Sequence, residues 1–157
     1  MATYTDSLGF NKGSAALPAK GTDRSTVVSI VLDFAKIIAA RLAAGATALA
    51  ASDVLEVLPV PAGTIVRAVG MQVQTVAASG TIAIGDGAEA AGYLAATAVS
   101  STGYFGGVPV LVAGAFLPVL SGGKRYGAVD TIDVTIGTAV PATAVVRVFV
   151  ELVDVTA

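Results

Sequence analysis

The side chains of this chain that could do chemistry are carboxylates, a few lysines and hydroxyl groups, because the sequence has no histidine and no cysteine. Their absence excludes Ser-His-Asp triads, cysteine nucleophiles paired with histidine, and zinc sites built on histidine or thiolate ligands. A Ser-Lys dyad stays formally possible. The residue types present therefore predict a protein that is not an enzyme.

One loop has the spacing of a nucleotide-binding motif. Residues 85–90, GDGAEA, follow a predicted strand and fit the loose pattern G-x-G-x-x-G/A. The dinucleotide fingerprint also needs an acidic residue about 20 positions further on, and no acid lies between Glu89 and Asp130. An Asp-Gly pair favours a tight turn instead. Asp86 and Glu89 are also hard oxygen ligands of the kind calcium prefers, but two carboxylates are too few for a site. We expect no cofactor and no metal.

The remaining aspartates suggest turns more than catalysis. Asp130 and Asp133 are close in sequence, but residues three apart on a strand point to opposite faces, so they do not predict a catalytic acid pair. Asp53 and Asp130 each precede a predicted strand. We interpret both as turn residues whose carboxylates accept backbone N–H groups.

These two aspartates begin a repeat that organises the chain. Residues 53–69, DVLEVLPVPAGTIVRAV, resemble residues 130–149, DTIDVTIGTAVPATAVVRVF, so that Glu56 matches Asp133. Each copy reads as a strand, a Pro/Gly turn and a second strand, which predicts two related β-hairpins. Two hairpins in facing sheets, related by an approximate two-fold axis, favour a mainly β protein: a single jelly-roll-like antiparallel β-sandwich with long Gly-rich loops.

The other predicted elements are less regular. STVVSIVL, from Ser25 to Leu32, predicts a strand. Asp33 could then cap a helix through Ala44 that Gly45 ends, although a loop is the competing interpretation. The face of this helix would carry Phe34, Ile37, Ile38 and Leu42.

Alternation of apolar residues predicts several further strands. A return strand from Ile65 to about Thr75 has an unclear phase that a bulge at Gly70 would resolve. The last strand places Phe149 on its wet face, which hints that part of this face is covered. The other predicted strands are TIAIG, Pro109 to Val112 and Ala115 to Leu120.

Composition points to an assembly. Hydrophobic residues make up 55% of the chain and charged residues 13%, against about 25% charged in an average soluble domain. So much uncharged surface favours a homo-oligomer or a subunit of a larger particle. The net charge is −2 and the nine basic residues are scattered, which argues against nucleic acid as a partner.

Nothing in the sequence predicts a membrane partner. The N-terminal stretch MATYTDSLGFNKG is polar and lacks the apolar core of a signal peptide. The most hydrophobic window, Val108 to Leu120, is shorter than the roughly 20 residues of a membrane helix. We expect a soluble protein synthesised in a cytoplasm.

Two regions stand out as candidate contact sites. Residues 1–24 lack any regular period and are predicted to form an N-terminal arm, or else a disordered tail, ahead of a sandwich domain at 25–157. Residues 90–123 carry no charge and concentrate aromatic side chains, as contact loops do. The candidate partner contacts are Tyr4, Leu8, Phe10 and Leu17 in the arm and Tyr93, Tyr104, Phe105 and Phe116 in the loops.

The segments TIAIGDGAEAAGYLAA, KRYGAVDTIDVTIG and VVRVFVELVDV, with the arm, resemble a head decoration (cement) protein of a tailed bacteriophage. That resemblance implies a β-rich homo-oligomer, with a trimer favoured, on the capsid surface of the virion. Its implied partner is the major capsid protein, and it implies no active site. The alternatives are a tail-tube or fibre subunit and a carbohydrate-binding module that stacks sugars on Tyr93, Tyr104 and Tyr126. The lack of tryptophan counts against the last.

Overall fold

The computed structural model of the chain describes residues 3–4, 25–106 and 123–154. Over these ranges the protein is a β-sandwich with one helix. The elements are β1 (Thr3–Tyr4), β2 (Ser25–Asp33), α1 (Phe34–Ala43), β3 (Val54–Val60), β4 (Thr64–Thr75), β5 (Thr81–Gly85), β6 (Leu94–Ala98), β7 (Gly103–Gly106), β8 (Lys124–Arg125), β9 (Asp130–Ile136) and β10 (Val145–Asp154).

The strands form two sheets. Sheet A has the order β1-β3-β9-β5-β6, and sheet B has the order β2-β10-β4-β7 with β8 beside β4. Apart from β1 and β8, the antiparallel pairs β2–β10, β3–β9, β4–β7 and β5–β6 are nested from the outside inward. A long hairpin folded in this way and rolled into two sheets is a jelly roll. The predicted fold class is confirmed.

The predicted hairpins are wrong in one respect. Neither repeat folds back on itself, because β3 and β9 lie in sheet A while β4 and β10 lie in sheet B. Each Pro/Gly turn instead carries the chain from one sheet to the other. The equivalent strands of the two repeats pair with each other, β3 with β9 and β4 with β10, both antiparallel. The repeats therefore lie side by side across an approximate two-fold axis.

The core lies between the sheets and follows the predicted alternation. The inward residues of β10 are at most 1% exposed, as are those of β9. They are Val146, Val148, Val150 and Leu152 on β10 and Ile132, Val134 and Ile136 on β9. Ile82 and Ile84 of β5 share this face as predicted. The side chains between them on the same strands face outward and form the two outer surfaces.

The helix predicted after β2 is confirmed. Asp33 is its N-cap and accepts the backbone N–H of Lys36 at 3.2 Å. Beyond the helix, Gly45 has a φ of 65°, a left-handed conformation that commonly ends helices. Phe34 and Ile37 are buried against the sandwich, which closes this end of the core.

The predicted helix face is wrong at Leu42, which is 78% exposed. Arg41 is buried in its place, 2% exposed, and its guanidinium donates to the carbonyl of Thr47. The chain after the helix turns back over Arg41, so the carbonyl oxygen of Thr47 reaches one end of the guanidinium. Leu42 is left on the solvent side of the last turn.

Bulges in β4 differ from the prediction. Glu151 pairs with Ala68 while Leu152 pairs with Val66, so the extra residue of β4 is Arg67 and not Gly70. This bulge turns Arg67 outward and lets Val66 and Val69 both face the core. The strand phase that the sequence left unclear is resolved in this way.

The turn interpretation of Asp53 and Asp130 is confirmed. Asp53 accepts the N–H of Ala50 at 2.9 Å, and Asp130 accepts the N–H of Thr131 at 2.8 Å. The strands predicted at Pro109–Val112 and Ala115–Leu120 lie outside the described residues. In the described part of the chain, no helix combines the length and the apolar character needed to cross a membrane.

Candidate interaction surface

The outer face of sheet B carries large apolar side chains that the fold leaves in solvent. Val27 of β2 is 67% exposed, and Tyr104 of β7 is 73% exposed. We call this surface the contact face and define it by Val27, Ser29, Val31, Gln72, Tyr104, Arg147 and Phe149. Period-two alternation places all seven on one side, because their neighbours in each strand face the core.

The strand register brings these residues together in rows. Val31, Arg147, Gln72 and Tyr104 are successive cross-strand partners over the four strands of sheet B. In the next row Phe149 lies between Ser29 and Gly70. Since both flanking residues are small, Phe149 forms the floor of an open depression of about 300 Å³.

The polar groups around the depression include an amide, a phenol and a guanidinium. Gln72 donates its side-chain N–H to the Tyr104 hydroxyl at 2.9 Å, which fixes both at the rim. Arg147 also lines the depression, and the nearby Arg67 lies 3.7 Å from the carboxylate of Glu151. Aromatic residues and arginine are enriched at protein–protein interfaces, and here they lie beside apolar side chains.

The loop residues predicted to contact partners are separated by the fold. Tyr104 lies on the contact face, but its neighbour Phe105 faces the core and is partly buried there. Tyr93 also packs against the core. The backbone of Tyr4 pairs with Leu55 at the edge of sheet A. The other four predicted contacts, Leu8, Phe10, Leu17 and Phe116, lie outside the described residues.

The densest polar cluster lies elsewhere, at the turn after β5. Asp86 is buried, and one carboxylate oxygen accepts the N–H groups of Ala88 and Glu89 at 3.0 and 3.1 Å. This is the tight turn predicted for GDGAEA. The other oxygen accepts the Tyr126 hydroxyl at 2.5 Å and forms an ion pair with Lys124.

Tyr93 completes this cluster. Its hydroxyl lies 2.7 Å from the hydroxyl of Tyr126, and the Lys124 ammonium is 4.9 Å from the centre of the Tyr126 ring. The cluster joins the turn after β5 to β8, residues 38 positions apart. β8 itself pairs with β4, so a polar contact connects the two sheets at this end of the sandwich.

Burial and hydrogen bonding set the protonation of the cluster. Burial disfavours the charge of Asp86, but the bonds from Lys124 and Tyr126 outweigh it and lower its pKa. Burial raises the pKa of Tyr126, as does its bond to the Asp86 carboxylate, and burial also raises the pKa of Tyr93. At neutral pH the carboxyl of Asp86 is therefore ionised and both phenols are neutral. Both oxygens of Asp86 are engaged by groups from the turn after β5 and from the segment 124–126, so the cluster ties these two segments together.

The geometry of the described residues bears on the calcium and sugar interpretations of this region. Both oxygens of Asp86 are already engaged, and no group of three or more metal-ligating side chains occurs in the described ranges. Tyr126 is 4% exposed and Tyr93 is partly buried, so neither offers a ring for stacking a sugar. The interpretation of the two as sugar platforms is wrong, and Tyr104 alone of the three is exposed.

Two features of the structure were not predicted from the sequence. Val27 and Val31 share a parity in STVVSIVL, so alternation could have identified them as an outward pair. Lys124 has no such signal, because its partner Asp86 is fixed by the fold and not by local spacing.

One solved structure has a fold similar to that of this chain. A chain from the capsid of Ralstonia phage GP4 superposes with a TM-score of 0.57 at 15% identity, covering 99% of this chain and all of that one. The two chains share a fold. No protein-family model matches the sequence, and no curated protein does either.

Two further capsid structures are more distant. A chain of the cyanophage Pam1 capsid has a TM-score of 0.47 at 19% identity, covering 89% of this chain and 92% of that one. A chain of the acid-stable capsid of Helicobacter pylori bacteriophage KHP30 has a TM-score of 0.46 at 10% identity, covering 84% and 90%. At these scores they add no argument about this protein.

Proposed function

We propose that this chain is a structural protein of a bacteriophage virion, a decoration subunit that binds the outer surface of the assembled head and stabilises it. The observation that carries the proposal is the end-to-end likeness to a capsid chain of Ralstonia phage GP4, with both chains covered almost completely. The partner is the major capsid protein of the head. The role is one of binding and not catalysis.

The contact face supports this role. It is a flat sheet surface with an aromatic floor at Phe149, a rim of Gln72 and Tyr104, and few charges. Such a face suits a second flat protein surface better than a small molecule, because its depression is shallow and open. A protein that binds the assembled lattice but not its free parts stabilises the lattice by mass action.

Residues 1–24 are proposed to act as an arm that contacts a neighbouring subunit, through Tyr4, Leu8, Phe10 and Leu17. β1 shows that part of this segment takes an extended conformation and adds to a sheet edge, here the edge of its own sheet A beside Val54 and Leu55. Addition of an extended segment to a sheet edge is a common mode of recognition. A homotrimer would present several such weak contacts together and gain avidity.

Particle binding tests the proposal directly. Heads of the encoding phage that lack this protein are mixed with purified chain, sedimented and assayed for bound chain. Wild type should co-sediment, and loss of Tyr104 to alanine should weaken binding by about 2 kcal/mol, roughly 30-fold in Kd, as for an aromatic anchor. Leu42→Ala is the matched control, because Leu42 is equally exposed but lies on the helix.

Two outcomes would overturn the proposal. Wild-type chain that never sediments with heads would exclude the decoration role. Antibody labelling of tails instead of heads in electron micrographs would favour the tail-tube or fibre alternative. Equal binding by the Tyr104→Ala and Leu42→Ala variants would show that the contact face is not the binding surface, even if the head is the right partner.

A further inference from the structure

Strand β2 is an open edge of sheet B. It pairs with β10 on one side, and among the described strands none pairs with it on the other. It has nine residues, whereas the other outermost strands, β1, β6 and β7, have two, five and four. An edge of this length presents a row of backbone N–H and C=O groups that can accept another strand.

Over its first eight residues β2 lacks the features that usually protect such an edge, and its one charge is Asp33 at the C-terminal end. The segment from Ser25 to Leu32 contains no charge and no proline. Its ladder with β10 runs through nine consecutive pairs without a register shift, so no bulge twists the edge away. Natural sheets blunt long edges with charges, proline or bulges, because an unprotected one pairs with other chains.

The exposed valines lie symmetrically on this strand. Val27 is 67% exposed and Val31 is 44% exposed, and both stand two residues from Ser29 on the same outer face. Apolar residues therefore lie at matching distances on the two sides of Ser29. A symmetric apolar pattern on an open edge is what a strand needs to pair with a copy of itself.

We propose that two copies of this chain pair through β2, antiparallel, about a two-fold axis at Ser29. This register places Val27 of each copy beside Val31 of the other and Ser29 beside Ser29. Centring the pair on Val28 or Ile30 would place each exposed valine beside a polar residue. Centring between two residues would put core-facing side chains opposite outward ones, which a sheet does not allow.

The chemistry of the pair is favourable on both faces. Cross-strand valines bury apolar surface that is now in water, and these side-chain contacts stabilise the pair in addition to the backbone hydrogen bonds. No like charges meet, because the carboxylate of Asp33 at one end would stand beside Ser25 of the second copy. Sheet B of one copy would continue into sheet B of the next, as in isologous dimers.

Single cysteines test the register, since the chain has no cysteine of its own. In the proposed pair the two Ser29 positions are about 4.5–5.5 Å apart, within the range of a disulfide. The two Ser25 positions are eight residues out of step, about 27 Å apart. Oxidised Ser29→Cys should therefore run as a covalent dimer on a non-reducing gel. The matched control Ser25→Cys, on the same strand and face, should stay monomeric.

A charge on the edge tests the interface itself. Val27→Lys should shift the native mass towards monomer in sedimentation velocity, because two lysines would enter an apolar row. Val129→Lys is its control, since Val129 is 75% exposed but lies outside β2. Both side chains are mostly in solvent, so both variants should keep the wild-type circular dichroism spectrum.

The outcomes separate this inference from the proposed function, because the purified chain is tested without phage heads. Failure of Ser29→Cys to cross-link would overturn it, as would equal cross-linking by Ser25→Cys. The inference would also be overturned if Val27→Lys left the native mass unchanged. A chain that forms only trimers through another surface would not cross-link through Ser29→Cys, so that case is covered by the first test.

Discussion

Glu56 and Asp133 hold equivalent positions in the two repeats and are also direct cross-strand partners in sheet A. The approximate two-fold axis that relates the repeats therefore passes between two carboxylates. Asp133 is 5% exposed and accepts the Thr131 hydroxyl at 2.7 Å. The pKa of Asp133 is raised to about 6, mainly by burial and also by the nearby charges of Glu56, Asp130 and Asp86, against the hydrogen bond from Thr131, which lowers it.

The pH dependence of stability follows from this pair. Between pH 3.8 and about 6 the folded protein keeps a proton on Asp133 that the unfolded chain has lost, so stability falls as pH rises through this range. This shift in the pKa of Asp133 corresponds to a fall of about 3 kcal/mol in the free energy of unfolding across the range. Urea unfolding of the wild type should show a higher free energy of unfolding at pH 4.5 than at pH 7. The lowered pKa of Asp86 makes stability depend on pH only below this range.

Asp133→Asn isolates the contribution of the pair. The amide keeps an acceptor for Thr131 and carries no charge, so the variant should be more stable than wild type at pH 7 and lose most of the slope. Glu89→Gln is the control, because Glu89 is exposed on a turn. An unchanged slope in Asp133→Asn would show that Asp133 titrates normally in the folded protein.

Removal of the Asp86 carboxylate should be among the most damaging single changes. Asp86→Ala takes away the acceptor for two backbone N–H groups and a phenol and leaves Lys124 beside a buried, uncharged site. Breaking a buried ion pair from one side typically costs 3–5 kcal/mol. The free energy of unfolding from urea titration measures this loss.

The double variant Asp86→Ala/Lys124→Met separates charge from packing. If the stranded ammonium causes most of the damage, the double variant should recover part of the stability lost in Asp86→Ala. If the single and double variants are equally stable, the stability lost in Asp86→Ala comes from the lost hydrogen bonds to the turn N–H groups and to Tyr126. A loss below about 1 kcal/mol in Asp86→Ala would contradict the structural role.

Gly85 and Gly127 form a matched pair for testing the turn after β5. A Cβ on Gly85 would lie 1.9 Å from the carbonyl oxygen of Glu89, whereas a Cβ on Gly127 would meet nothing within 4 Å. Gly85→Ala should therefore move the turn and destabilise the protein by about 1–3 kcal/mol or more. Gly127→Ala should be neutral or stabilise it by up to about 1 kcal/mol, through the unfolded chain. Thermal melting compares the two, and equal midpoints would contradict the close packing of the turn.

The arm and the domain division are tested by truncation. A chain that lacks residues 1–24 should keep the circular dichroism spectrum of the sandwich, because the jelly-roll strands all begin at Ser25 or later. Its binding to phage heads should weaken, since the proposed anchors are removed. Full binding by the truncated chain would leave the contact face as the binding surface without help from the arm.

The sequence by itself determined the local structure of this protein. Alternation in β10 predicted which residues face the core, Asp33 predicted the start of the helix, and Asp53 and Asp130 predicted turns. Each of these depends on interactions within a few residues. The jelly-roll class followed from the same patterns together with the repeat.

The tertiary structure decided which surfaces meet. A strand, a turn and a strand have the same local periodicity whether the chain folds back or crosses to the other sheet, so the sequence could not place β3 and β4 in different sheets. The same holds for the ion pair of Asp86 and Lys124 and for the burial of Tyr126, which depend on segments far apart in sequence. Only the strand order shows that β2 is an edge among the described strands, and therefore that its two outward valines lie at the margin of sheet B.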